Sequence, residues 1–120
     1  MRESKFRGKR IDNDKWVYGD LIHCYGADAG RIFIKTFTGL YEVDPTTVGE
    51  YTGLKDKNGK EIYEDDILLD ESGVYAVVGY LMGTFSVDFG EGFDLQYFNE
   101  GIHEICDVVG NIHDNPELLE

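Results

Sequence analysis

Tyr51-Thr52-Gly53-Leu54-Lys55-Asp56-Lys57-Asn58-Gly59-Lys60-Glu61-Ile62-Tyr63 decides the fold. Asn58-Gly59 tolerates the positive φ that a type I′ hairpin turn demands. Tyr51-Thr52 on one side and Glu61-Ile62-Tyr63 on the other are strand formers placed to pair across it. A β-hairpin therefore sits at the middle of the chain.

Working outward, Val48–Leu54 leads into the hairpin as extended chain. Before it, Trp16–Cys24 is rich in strand formers on both parities and reads as a largely covered strand. Gly26–Gly30 makes a turn, Arg31–Lys35 is the next strand, and Gly39 with Leu40–Val43 returns it. Asp44-Pro45 has the form of an N-cap with Pro at the first helical position, so one short helical turn is expected there. After the hairpin, Asp66–Asp70 is a short strand turning at Glu71-Ser72-Gly73. Val74–Leu81, apolar on both parities, is expected to be central. In Thr84–Phe89 the residues Phe85, Val87 and Phe89 point inward, and Thr84, Ser86 and Asp88 outward. Gly90–Gly101 reads as an acidic loop with an extended piece at Leu95–Phe98. Ile105–Ile112 is a strand, because Gly110 and paired valines disfavour a helix. Asn115-Pro116 caps a closing helical turn.

Composition agrees. The chain has 120 residues, 42% of them hydrophobic, with 15 Gly and only 2 Pro. That is enough apolar material for a core and too little length for a repeat array or a multi-domain enzyme. The expected fold is all-β (mainly β), a small barrel or packed β-sheets with one or two short helical turns. It forms one domain over 1–120, divisible near Leu54 into two β subdomains.

Charge is strongly asymmetric. The formal net charge is −13, yet every Lys and Arg lies at or before Lys60. Residues 1–60 carry 11 basic and 9 acidic groups, while residues 61–120 carry 15 acidic groups and no Lys or Arg. Arg2, Lys5, Arg7, Lys9, Arg10 and Lys15 make the first seventeen residues locally basic, at net +3. Counterion release from nucleic acid needs several phosphate contacts, and the acidic half opposes them, so no direct nucleic-acid binding is expected. The acidic half is a solvated surface, or it meets a basic partner or the basic start of another copy.

No segment has the length of a membrane span, the longest apolar run being Val74–Val78. No charged n-region precedes an apolar h-region, so the expected location is the cytoplasm. Cys24 and Cys106 form no C-x-x-C pair, and both are expected to be buried reduced thiols.

The chemical motifs are weak. Asp88-Phe89-Gly90 spells the magnesium-binding tripeptide of protein kinases, but the rest of that machinery is missing, so it reads as the end of a strand. Asp56–Glu61 has its Gly at position 4, where an EF-hand loop needs it at 6, and no helices flank it. Glu64-Asp65-Asp66 and the set Asp88, Glu91 and Asp94 are carboxylate clusters whose use would require convergence in space. His103, Cys106 and His113 match no tight zinc spacing, and His23 with Cys24 is a distant second pair. Ser4, Ser72 and Ser86 sit in no nucleophile elbow, and no P-loop or H-E-x-x-H is present. The sequence thus nominates no catalytic, cofactor-binding or metal-ligating residue, and no cofactor.

Three blocks carry a family likeness. They are Lys5-Phe6-Arg7 leading to Trp16-Val17-Tyr18-Gly19, then Val43–Ile67, and Val109–Leu119. Together they resemble the YopX family of bacteriophage and prophage proteins over nearly the whole chain. Asp65 departs from the family pattern, which more often has Gly before Asp-Ile. It adds charge and is expected to alter the backbone there. The resemblance implies a mainly-β fold and a phage or prophage origin, and it carries over no site residue. The expected function is non-enzymatic: a small cytosolic interaction protein that self-associates, with the segments around Trp16 and Phe89–Phe98 as candidate contacts. An acidic decoy for a basic nucleic-acid-binding surface on a host protein is the alternative, and a small carboxylate-using enzyme ranks third.

Overall fold

The structure, a computed structural model, describes residues 5–81, 84–88, 96–97 and 106–120. Its eleven strands are β1 (Phe6–Lys9), β2 (Trp16–His23), β3 (Ile32–Lys35), β4 (Leu40–Val43), β5 (Gly49–Lys55), β6 (Glu61–Tyr63), β7 (Asp66–Asp70), β8 (Tyr75–Leu81), β9 (Thr84–Asp88), β10 (Gln96–Tyr97) and β11 (Cys106–Asn111). They form two antiparallel sheets, ordered β4-β3-β2-β1-β5-β6 and β10-β9-β8-β7-β11. Short 3-10 turns at Gly26–Asp28, Pro45–Thr47 and Pro116–Leu119 are the only helical pieces among the described residues. The fold is mainly β, as its turn-rich sequence requires. The chain divides into two compact units, Met1–Tyr51 and Thr52–Glu120.

In the first unit, β1 to β4 form a meander that returns on itself. Arg10 bridges Val43, and the Asp44 N–H donates to the Lys9 carbonyl at 2.8 Å. That closure makes a small barrel around Ile34 and Val43, both fully buried. The expected turn after Asp44 forms as read: the Asp44 carboxylate accepts from the Thr46 N–H at 3.0 Å, and Pro45 opens the 3-10 turn. The inner face leaves no room at Gly19, where a Cβ would stand 2.1 Å from the Lys35 carbonyl oxygen. One strand goes unread in the sequence and one reading changes here. Phe6–Lys9 is a strand, although its charges disguise it. β2 is not largely covered, since Tyr18, Asp20 and Ile22 are exposed along its outer face.

In the second unit, Ile62, Leu68, Ala76, Val78, Phe85, Val87 and Cys106 form the core, with Leu54 and Val108 against it. β8 lies third of five in its sheet, central as its pattern predicts. Phe85 and Val87 are buried and Thr84 and Asp88 exposed, as read; Phe89 lies outside the described residues. Ser86 is buried rather than outward. It stands opposite Gly79, which has no side chain to hold it off the sheet. Asn115 does not cap the closing turn. Its side chain accepts from the Asn111 N–H at 3.3 Å instead.

The central hairpin forms with a different turn. Asn58 has no positive φ; Gly59 does, at 86°. The Gly59 N–H donates to the Asp56 carbonyl and the Asp56 N–H to the Lys60 carbonyl, closing a three-residue loop with Gly in the left-handed region. The Asp56 side chain selects this geometry over type I′. Its Oδ1 accepts from the N–H groups of Asn58 (2.8 Å) and Lys60 (2.9 Å). Its Oδ2 reaches across 52 positions to the N–H of Val108 at 2.9 Å. The Lys57 N–H also donates to the Cys106 carbonyl at 3.2 Å. The loop therefore covers the outer edge of β11, whose opposite edge pairs with β7.

Asp70-Glu71-Ser72-Gly73 repeats the device. The Asp70 Oδ1 accepts from the N–H groups of Ser72 and Val74, both at 2.9 Å, and Gly73 takes φ 89°. Glu64-Asp65 connects β6 to β7, with Asp65 at φ 74°. Asp65 thus holds the left-handed conformation for which glycine is best suited.

Burial pushes the Asp56 carboxyl up, but the N–H groups of Val108, Lys60 and Asn58 and the Lys60 charge outweigh it. The carboxyl titrates below its ordinary 3.8. The N–H of Val74 and the Ser72 side chain hold Asp70 down likewise, against a smaller effect of burial. A depressed folded-state pKa stabilises the fold above the unfolded value, and that contribution is lost as pH falls through the folded one. Stability from these two groups is therefore expected to be flat above about pH 5 and to fall below about pH 4, read by urea titration across pH. Asp56→Ala leaves three N–H groups without their acceptor and should cost about 3 kcal/mol at neutral pH. Asn58→Pro should cost about 2 kcal/mol by removing a donor and placing Pro where a type I turn disfavours it. A parent-like melt for both variants would refute the anchoring role of Asp56. Separately, Gly19→Ala is expected to lower the melting temperature by roughly 10 °C, since the Lys35 carbonyl cannot yield without moving β3.

Candidate functional site

Among the described residues that sequence reading singled out, Asp65 and His113 meet, and the others form no group of three. The Glu64-Asp65-Asp66 carboxylates take separate structural partners. Asp66 is 1% exposed and accepts from the Tyr63 N–H at 2.7 Å. The Asp65 Oδ2 lies 3.1 Å from the His113 Nε2. Asp88 ends β9 on the surface, while Glu91 and Asp94 lie outside the described residues. Cys106 faces the core, and burial pushes its thiol up, away from the reactive thiolate form. His113 sits beyond the end of β11, and His103 lies outside the described residues. Cys24 is only half-buried, which corrects one of the two cysteine readings. Among the described residues, no three His, Cys, Asp or Glu side chains are grouped to hold a metal ion.

The feature that does stand out is the outer face of the first unit's sheet. Strand alternation places Arg7 and Lys9 of β1 on that face, and register brings them opposite Tyr18 and Trp16 of β2. Continuing across, Asp20 faces Lys35 and Ile22 faces Phe33 on β3, and Leu40 follows on β4. The cations near β1 stack on rings rather than reach outward. Arg7 lies 4.7 Å above the Trp16 ring and Lys9 5.8 Å from it, and Lys5 lies 5.4 Å from the Tyr51 ring. Arg7 is buried there, and Trp16 is half-buried. Arg31 is held between Glu42 (2.8 Å) and Asp28 (2.9 Å), which raises its pKa and lowers that of Glu42. Arg10 pairs with Asp12 at 2.6 Å and lies over the Tyr41 ring at 4.4 Å.

Beyond these stacked cations the face becomes apolar and exposed. Tyr18 is 47% exposed, Ile22 36% and Leu40 54%, and Phe37 at the tip of the β3–β4 hairpin is fully exposed. A shallow cleft lined by Ile22, Lys35, Phe37 and Leu40 opens at that tip. Trp16 itself is half-buried, whereas Phe37 at the tip of the β3–β4 hairpin is exposed. The signal was present in Thr36-Phe37-Thr38, an aromatic isolated between turn residues. The other expected segment, Phe89–Phe98, lies largely outside the described residues.

Comparison with known proteins agrees with the fold. A family model described as "YopX protein" matches residues 5–120. No curated protein matches. The crystal structure of protein EF1440 from Enterococcus faecalis is similar at a TM-score of 0.67 and 24% identity, covering 100% of each chain. That likeness supports the mainly-β fold alone. The blocks around Trp16, from Val43 to Ile67 and from Val109 to Leu119 all lie within the match, and on it this chain belongs to the YopX family.

Proposed function

We propose that this protein is a non-enzymatic interaction protein, of phage or prophage origin, that self-associates in the cytoplasm of a bacterial host. The observation that carries the reading is the exposed apolar surface of Tyr18, Ile22, Phe37 and Leu40 on the first unit. Large apolar side chains left exposed on one face are a feature of interfaces. Charge supports a second copy as the partner. The first unit is net neutral, with its cations gathered near β1, whereas the second unit is net −13. Docking copies so that cations meet the acidic unit relieves its self-repulsion. The net charge of −13 on the second unit opposes a phosphate backbone and disfavours a nucleic-acid-binding role. No described helix is long and apolar enough to cross a membrane.

Surface ion pairs are screened over about 8–10 Å at physiological salt, so the apolar patch has to carry the residual affinity. Light scattering at micromolar protein is expected to show a homo-oligomer in low salt that weakens, without fully dissociating, at high salt. A monomer at both salts would overturn self-association and shift the second unit toward the role of an acidic decoy for a basic host protein. The purified protein is also expected to carry no stoichiometric zinc or calcium; one tightly held ion per chain by elemental analysis would revive the enzyme reading.

A further inference from the structure

We propose that the tip of the β3–β4 hairpin of one copy inserts Phe37 into the cleft between β8 and the C-terminal 3-10 turn of a second copy. This rests on the self-association reading above and names its contact.

The tip is built to present an aromatic. The Thr36 N–H donates to the Gly39 carbonyl at 2.7 Å, and the Thr36 Oγ1 accepts from the N–H groups of Thr38 (3.1 Å) and Gly39 (3.2 Å). The Thr38 hydroxyl shares a hydrogen bond with the Tyr41 hydroxyl at 2.9 Å. These bonds fix the loop while leaving Phe37 fully exposed. A preorganised loop loses little conformational freedom on docking, so the ring is an efficient anchor.

The cleft has the matching character. Val74, Tyr75, Val77, Leu118 and Leu119 supply apolar walls, and Asp88 and Glu120 supply carboxylates. Tyr75 and Val77 alternate with the core-facing Ala76 and Val78, so they lie on the side of the sheet away from the core. The tip carries Lys35 beside Phe37. A projecting aromatic with a cation thus answers an apolar cleft with carboxylates, and both are encoded on one chain. The contact is heterologous, with different surfaces on the two partners.

Sedimentation velocity of the full chain over a dilution series tests this. Phe37→Ser and Leu119→Lys are each expected to weaken self-association by about tenfold or more with parent-like melts, both side chains being exposed. The two variants mixed should associate one to one, because the first keeps the cleft and the second keeps the tip. Lys35→Glu should weaken association, and adding Glu120→Lys in the same chain should restore it. An oligomeric parent whose variants keep parental affinity, or whose two variants stay apart when mixed, overturns this contact and leaves self-association standing. A parent monomeric throughout overturns both.

Discussion

Three backbone N–H groups converge on the carboxylate of Asp56, and the second unit is organised around that convergence. Two belong to its own loop and one to β11, 52 positions later. An ionised carboxylate only accepts, and it has lone pairs enough for all three donors. An apolar residue would leave three donors without a partner beside a core. The same side chain thus sets the turn type, fixes the β5–β6 register and fastens the far end of the chain. Around it, the Asn58 side-chain amide donates to the Asp107 carboxylate and the Lys57 ammonium pairs with it at 3.4 Å. Both are exposed contacts that add little next to the buried donors.

Electrostatics at this loop has a wider meaning. Lys55, Lys57 and Lys60 are the only cations of the second unit, and all three flank Asp56. They offset charge where a carboxylate is deliberately held ionised. The rest of the unit has no such relief. Its acidic side chains are tolerated locally because several accept backbone donors, as Asp66 and Asp70 do. Local satisfaction does not cancel the long-range field, however, and that field remains available to a partner.

Much of this was legible in the sequence, for reasons that differ by element. Strand-forming residues between turn residues located β3, β4 and β7, apolar residues on both parities located β8, and Gly110 with paired valines located β11. The hairpin at Asn58-Gly59 was legible in position and not in type. Reading only the two central residues misses Asp56, whose side chain competes for the turn's donors. β1 was hidden because its outer residues, Arg7 and Lys9, look like a soluble tail until Trp16 is seen beneath them. At Asp65, sequence shows an extra charge, while the structure shows φ 74° and a carboxylate that meets His113. That contact is separated by 48 positions and leaves no local signature. The exposure of the hairpin tip is a property of neighbours that fail to cover Phe37; the sequence shows only an aromatic isolated between Thr36 and Thr38.

The management of sheet edges narrows how such a protein can bind. An open strand edge invites pairing by backbone hydrogen bonds, which is sequence-tolerant and hard to limit. Here β4 is closed against the end of β1 by the Arg10–Val43 bridge, and β11 is covered by the Asp56 loop. β6, the last strand of its sheet, is only three residues long. At these edges strand addition is blocked or brief. Recognition on these sides has to use side chains on a face or at a tip, where Phe37, Leu40 and Tyr18 stand exposed. Side-chain recognition is selective in a way that edge pairing is not, because it requires a cleft of matching shape and charge. Among the described edges, those of β4 and β11 are covered, and the exposed aromatic at the β3–β4 tip stands clear of them.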